Sequence, residues 1–296
     1  MSGAPEKFEI SVPASIANLG PGFDTLAVAV QLYLKLRVRR AEGKNELRFH
    51  FLKTVIDGEN YIERAFQFLA KQRGIDFPSL DIEVISDIPP KSGLGSSAAA
   101  TVAGLRLYET IAGPLPARGL LNAASTLEHH PDNVAAALLG GLTISCQLPD
   151  RSVTAVQIPW PRNLQFLVLT PQVPLGTRES REVLPQSVPI QDAVFNVQRV
   201  ALLLHSLLSN DFSLLREALT DRLHQPFRQH IVPGLERALV LQHPDLLGVC
   251  LSGAGPSLVA LAERNFEEIG RMLRQSFADT GIGCCIRRLS AHHNES

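Results

Sequence analysis

Apolar residues fall along this chain in two rhythms, and the change from one to the other places the elements. Alternation, or a continuous β-branched run, marks strands. Phe8–Val12 alternates weakly and is expected to end at Pro13, and Ala27–Val38 is a long apolar run. Glu46–Phe51 is short, and Leu80–Ile88 alternates Leu80, Ile82, Val84 and Ile88 with polar residues. That last strand should stop at Pro89–Pro90, where the missing N–H donors would disrupt a ladder. Recurrence at three and four residues marks helices. It appears at Ile62, Ala65, Phe66 and Leu69 within Asn60–Arg73, in a small-residue stretch over Ser96–Thr110, and in Leu120–Leu127 and Val134–Leu139. Leu142–Cys146 and Val153–Ile158 read as strands closing a first domain, with Pro159–Pro161 as its boundary.

Beyond the boundary, Leu164–Leu169 is strand-like, Ala193–Leu208 is a strongly apolar helix and Leu214–Leu223 continues the helical character. Pro233 and Gly234 open a helix over Leu235–Leu241. The chain then reads strand (Leu247–Leu251), glycine turn, strand (Leu258–Ala262), helix (Phe266–Ala278) and strand (Cys284–Leu289). Strands and helices arrive in runs rather than in regular crossovers, which predicts an α+β fold, not a doubly wound sheet. Two domains are expected, residues 1–159 and 160–296.

Composition narrows the function classes. The 296 residues carry a formal net charge of -1 with 45% hydrophobic residues, so no global field attracts nucleic acid or an anionic membrane. The basic runs Arg37–Arg40 and Arg287–Arg288 are short and lack interleaved aromatic residues. Cys146, Cys250, Cys284 and Cys285 form no Cys-x-x-Cys pair, and neighbouring Cys284 and Cys285 would face opposite sides of a strand. Reduced thiols, the absence of an apolar leader in MSGAPEKFEI and charges interrupting every long apolar stretch lead to the expectation of a soluble, cytoplasmic protein.

Three glycine-rich loops carry the chemistry. In Pro89–Ala100 (PPKSGLGSSAAA), Gly93 and Gly95 would let the backbone turn sharply and approach a bulky anion. The unpaired amides of the following helix favour negative charge, and Ser96 and Ser97 add hydroxyls for phosphate or magnesium. Lys91 precedes the glycines, so this is not a Walker loop, and no glycine follows Gly95 where a dinucleotide fingerprint needs one. The second loop is Ser252–Ser257 (SGAGPS), and the third, Asn18–Asp24 (NLGPGFD), sets Asn18 and Asp24 on either side of a turn. Each alone is an ordinary turn; together at strand ends they describe a phosphate and substrate cleft.

The motifs PASIANLGPGFD (Pro13–Asp24), PPKSGLGSSAA, EHHPDNVAAALLGG (Glu128–Gly141), TRESREVLP (Thr177–Pro185), DRLHQPFR (Asp221–Arg228) and LSGAGPS (Leu251–Ser257) occur in this order over almost the whole chain. In this series the chain resembles the small-molecule kinases that include galactokinase, homoserine kinase, mevalonate kinase and phosphomevalonate kinase, and most closely their homoserine kinase branch. The resemblance implies an N-terminal domain like ribosomal protein S5 domain 2 and a ferredoxin-like C-terminal domain, with ATP and substrate in the cleft between them. It further implies ATP and Mg2+ as cofactors, L-homoserine as acceptor and a possible homodimer.

Homoserine carries an ammonium, a carboxylate and a primary hydroxyl. Asp24 suits the ammonium, and the planar forks of Arg181 and Arg228 suit the carboxylate. The resemblance points to the same three residues. It adds His130, Asn133 and Gly253 to the pocket, and Asn18 and Thr177 beside the reacting hydroxyl. It also assigns nucleotide contacts to Asn60, Pro89, Lys91, Gly93, Leu94, Gly95, Ser96, Ser97 and Ala98, and magnesium to Glu128 with Ser96 or Ser97. The residues alone leave rivals: Asp24 as a turn cap, Arg178 for Arg181, His224 for Arg228, and Asp132 as a general base. In this branch the place of a catalytic aspartate is taken by asparagine, here Asn133, which implies direct in-line transfer without a strong carboxylate base. Departures from the motifs are Ile16 for serine, His129 for glycine, and Pro90-Lys91-Ser92 for the usual Leu-Gly-Arg. Alternatives are a related kinase acting on another amino acid or polyol, and a non-catalytic metabolite-binding member.

Overall fold

The computed structural model describes residues 5–53 and 58–294. Its spine is an antiparallel pair, β1 (Lys7–Ala17) and β2 (Leu26–Lys44), in register from Lys7↔Arg39 to Ala17↔Ala27. β1 does not end at Pro13 as the proline suggested. The register slips between Pro13 and Ala14, and this bulge accommodates a residue without an N–H, so the strand continues into the first glycine loop. β3 (Leu47–Phe51) lies parallel to β4 (Pro78–Ser86), and α1 (Tyr61–Arg73) lies between them in the chain.

The helices α2 (Ser96–Ala112), α3 (Ala117–Glu128) and α4 (Asp132–Leu139) follow, then β5 (Leu142–Gln147) and β6 (Val153–Ile158). β4 pairs with β2 along Leu34–Lys44, while β5 takes the start of the same strand, Leu26–Val28. The six strands form one sheet, and α2 and α4 pack on β1 and β2.

The rest of the chain builds a second, antiparallel sheet from β7 (Gln165–Pro171), β8 (Leu246–Leu251), β9 (Leu258–Ala262) and β10 (Cys284–Leu289). The spatial order β10-β7-β9-β8 is that of a ferredoxin-like sheet. Between β7 and β8 run α5 (Thr177–Glu182), α6 (Ile190–Ser209), α7 (Leu215–Ala218), α8 (Gln225–Arg228) and α9 (Leu235–Leu239), and α10 (Phe266–Gln275) precedes β10. Leu214–Leu223 is not one helix. It breaks after Ala218, because the Asp221 carboxylate takes the amides of Leu223, His224 and Gln225 and turns the chain.

Alternation along the second sheet fills two cores. Phe166, Val168, Val259 and Leu261 join the main core that begins at Ile10, whereas Leu167, Leu169, Leu258 and Ala260 face Val232, Ile269 and Leu273. The two sheets therefore share a core. After β10 the chain returns to the first sheet. Ala291 bridges Val30, Gln31 N–H donates to Ser290 O (3.0 Å), His292 N–H to Ala29 O (2.8 Å), and Gly141 N–H to His292 O (2.7 Å). Among the described residues no helix is long and apolar enough to cross a membrane.

Candidate active site

A cleft of about 790 Å3 runs between the end of β4, the start of α2 and the loops of the second sheet. It has three zones. One end is apolar, formed by Leu34, Phe51, Tyr61, Ile62, Val84 and Ile88. Asn60 lines this end, and its Oδ1 accepts from the amides of Ile62 (3.2 Å) and Glu63 (3.3 Å), so it also caps α1.

The middle zone is the loop before α2. Its shape depends on contact with the other sheet: Ser252 Oγ donates to Gly93 O (2.7 Å), Ser257 N–H to Ser92 O (3.1 Å) and Leu175 N–H to Lys91 O (3.1 Å). Gly93 has φ +80°, and a Cβ there would collide with the Ser252 carbonyl oxygen and sit 2.8 Å from that of Gly255. Gly95 has φ +68° and is pressed against Ser15 Oγ, which donates to Asn133 Oδ1 (2.8 Å).

Gly95 is the N-cap of α2 and supplies no side-chain bond, and the first helical amide bond is Ala99 to Gly95 O. The amides of Ser96, Ser97 and Ala98 thus have no partner within the helix, and no acid stands in the first turn. This arrangement fits a phosphate chain. Ser96 and Ser97 line the cleft. Leu94 and Ala98 turn their side chains into the core, and Pro89 lies outside the lining with its carbonyl holding Ser92 Oγ (2.7 Å). Exposed Lys91 lines the cleft.

Glu128 is not among the lining residues. Its Oε1 accepts from Thr101 Oγ1 (2.8 Å) and from Arg64 Nη2 (3.3 Å). Thr101 is one helical turn behind Ser97, so the carboxylate stands behind the loop rather than in it. Ile16 is fully buried in the core, so its departure from serine removes no hydroxyl from the cleft wall. His129 ends α3 in the left-handed region (φ +65°), where the motif's glycine would be unstrained.

The third zone gathers polar side chains from both halves of the chain. Arg181 grips Asp24 in a two-pronged pair, 3.0 and 2.6 Å, with each side chain about a third exposed (38% and 35%). Arg228 is buried, yet it lines the cleft. Its Nε donates to Ser180 O (3.2 Å) and its Nη1 to Gly253 O (3.0 Å). Burial first, and the neighbouring Arg181 second, bring its pKa down to about 10, which leaves it charged at neutral pH.

Asn18 is committed at both ends: Nδ2 donates to Gly253 O (2.9 Å) and Oδ1 accepts from Asp24 N–H (3.0 Å). It braces the loop against the second sheet. Thr177 lines the cleft at the exposed start of α5.

On the opposite wall, one oxygen of buried Asp132 faces three groups: Asn133 N–H (2.7 Å), Asn133 Nδ2 (3.2 Å) and His130 Nδ1 (3.1 Å). Burial disfavours a charge on His130. The hydrogen bond and charge of Asp132, with Glu128, outweigh it and the opposing Arg181, and the imidazole pKa is raised. His130 Nδ1–H points at Asp132.

The sequence did not single out Phe23, Phe51, Tyr61 or Ser15. Their signals were weak: Phe51 and Val84 meet only because β3 and β4 are parallel in that register, and Phe23 is one residue of a turn.

The model described as GHMP kinases N terminal domain matches residues 60–141, and that described as GHMP kinases C terminal matches residues 203–279. A homoserine kinase of Solibacter usitatus is 36% identical over 305 residues, 100% of this chain and 95% of the relative. One of Moorella thermoacetica is 38% identical over 291 residues, covering 95% and 96%. The crystal structure of homoserine kinase from Cytophaga hutchinsonii superposes with a TM-score of 0.85 at 27% identity, over 99% of this chain and 97% of that one. With its two-sheet α+β architecture and its motifs in order, the chain belongs to the GHMP kinase family, in the branch of the homoserine kinases.

Proposed function

We propose that this protein transfers the γ-phosphoryl group of Mg-ATP to the side-chain hydroxyl of L-homoserine. One observation carries the reading: a fixed carboxylate and two guanidiniums, Asp24, Arg181 and Arg228, line the same cleft as the free N-terminus of α2. The first set matches an amino acid's ammonium and carboxylate, and the second a phosphate chain. A zwitterion would enter by parting Asp24 from Arg181. Each side chain is about a third exposed, so water reaches the pair and the charged groups of the amino acid replace the bonds it gives up. Asp24 then meets the ammonium while Arg181 joins Arg228 on the carboxylate.

The substrate oxygen bonds to the γ-phosphorus as the bond to the bridging oxygen of ADP breaks, and the hydroxyl proton leaves with the phosphate or to water. The amides of Ser96–Ala98 hold the transferring charge, and Asn18 and Asn133 keep the loop walls in place. Ser96 and Ser97 offer hydroxyl oxygens for magnesium, with Glu128 behind them; the ion, when bound, neutralises charge on the phosphates. The decisive assay follows ADP release with Mg-ATP and homoserine, threonine, serine, mevalonate or galactose. Folded protein that releases no homoserine-dependent ADP defeats the assignment.

A homodimer is the second part of this reading, supported by α6. Ile190, Val194, Val197 and Leu208 are 69%, 47%, 70% and 60% exposed on one face, at the four-and-three spacing of a helix seam. The charges of α6, Asp192 and Arg199, turn aside to Arg222 and Glu217. The uncharged stripe is on the order of several hundred Å2, the size of the largest patch on a typical monomer, which is often functional. Such a stripe suits the same face of a second copy about a twofold axis. Sedimentation should show a dimer that Val197→Glu converts to a monomer; a monomeric parent protein refutes it.

A further inference from the structure

His224 lies between the two sides of the substrate pocket and is fully buried. Its Nδ1 is 3.1 Å from Arg228 Nη1, which can only donate, so Nδ1 must be the acceptor. The proton therefore sits on Nε2, which donates to Gly20 O at 2.8 Å. Gly20 belongs to the loop that presents Asp24. The ring also stacks on Phe23 of that loop (5.1 Å between centroids, 23° between planes). Phe23 also lies beside the guanidiniums of Arg228 (5.4 Å) and Arg181 (5.5 Å).

From its other side His224 is fixed through the backbone. Asp221 accepts from the amides of Leu223 (2.9 Å), His224 (3.0 Å) and Gln225 (2.6 Å), and from Asn196 Nδ2 on α6 (2.7 Å).

We propose that neutral, Nε2-protonated His224 is a positioning residue that sets the spacing between the ammonium-binding loop and the carboxylate-binding Arg228, and so selects the length of amino acid accepted. This deepens the proposed function and rests on its assignment of Asp24 and Arg228. Arg228 bonded through Nη1 to a ring that is itself tied to Gly20 cannot move away from Asp24 without breaking one of two buried bonds. The charged groups around the ring are Asp221 (3.6 Å from Nε2), Arg228, Asp24 and, beyond Phe23, Arg181. Burial, with Arg228 opposing a second cation, lowers the imidazole pKa despite Asp221 and Asp24, which agrees with a neutral ring at working pH.

Two substitutions separate the two bonds. His224→Asn keeps an acceptor near the Nδ1 position, and His224→Gln keeps a donor near Nε2. We expect the KM for homoserine to rise at least tenfold in His224→Gln, equivalent to about 1.4 kcal/mol. The rise in His224→Asn should be smaller, with KM for ATP unchanged in both. Discrimination against threonine and serine should weaken in His224→Gln. Equal KM values in the two variants, with equal loss of melting temperature, would reduce His224 to packing and overturn the proposal.

Nitrogen NMR of the full-length parent protein tests the tautomer without any turnover. A protonated Nε2 and bare Nδ1 at pH 7 supports the proposal, and a protonated Nδ1 or an imidazolium overturns it. Failure of the kinase reading shows separately, as a parent protein that gives the expected tautomer but no homoserine-dependent ADP.

Discussion

Replacing Gly93 by alanine adds one methyl group at the point where the phosphate loop rests on the loop after β8. The added carbon would overlap the Ser252 carbonyl oxygen and lie 2.8 Å from the Gly255 oxygen. Both are backbone atoms, so neither can swing away as a side chain tip would. The residue also holds φ +80°, outside the regions open to alanine, at a cost of roughly 1–2 kcal/mol. Separating the loops further breaks the bond from Ser252 Oγ to Gly93 O (2.7 Å), worth about 0.5–1.5 kcal/mol net. The expected loss is about 2–3 kcal/mol, or roughly 4–10 °C in melting temperature for a chain of this size.

Because the same movement displaces the amides at the start of α2, the KM for ATP should rise at least about tenfold while that for homoserine changes less. Gly119→Ala is the control: a Cβ there meets nothing within 4 Å. Calorimetry and initial rates on the two variants decide the matter. A Gly93→Ala protein with unchanged melting temperature and unchanged KM for ATP would refute the reasoning that the two domains shape the phosphate loop together.

Asp132→Asn should lower turnover by about tenfold or less, since the carboxylate orients His130 and Asn133; a loss of about 10²–10⁴-fold, the range of a general base, with folding intact, would make Asp132 that base. The raised pKa of His130 means its charged form adds stability below the unfolded value of about 6.5, and that increment fades as pH rises through the folded value. The melting-temperature advantage of the parent over His130→Gln should therefore be largest in mild acid and shrink toward alkaline pH; a constant or opposite trend counts against the Asp132 contact. His129→Gly should raise stability by about 0.5–1 kcal/mol through relief of the left-handed C-cap of α3, seen as a higher denaturation midpoint, and an unchanged or lower midpoint would contradict it.

The sequence made the strands and long helices legible because each buries a stripe with its own period. Leu258–Ala262 and Cys284–Leu289 have the bounds read for them as strands. The motifs brought the right loops to one cleft. What could not be read was which distant partners the side chains of those loops hold. The resemblance set Asn18 beside the hydroxyl; in the structure it lines the cleft, and both ends of its amide also hold backbone 6 and 235 residues away. The resemblance gave Glu128 to magnesium; the structure adds that its Oε1 accepts from Thr101 and Arg64, 27 and 64 residues distant. Such long-range partners leave no periodic trace. Short helices fail for another reason: α5 and α8, at six and four residues, are too brief to show a period, and Asp221 sets α8 by capping rather than by patterning.

The return of the chain from β10 to Val30 and Gly141 has a consequence for how this enzyme can be taken apart. A module built from the first sheet alone would miss the neighbour that occupies the amide of Gly141 and the edge at Ala29–Gln31. It would also expose the face that Phe166 and Val259 now cover. Exchange of halves between relatives should therefore fail when the crossover is made only near Ile158, and succeed when the segment from Ser290 to His292 travels with the first half. The unit that can be inherited or transplanted is discontinuous in sequence, although each sheet is continuous.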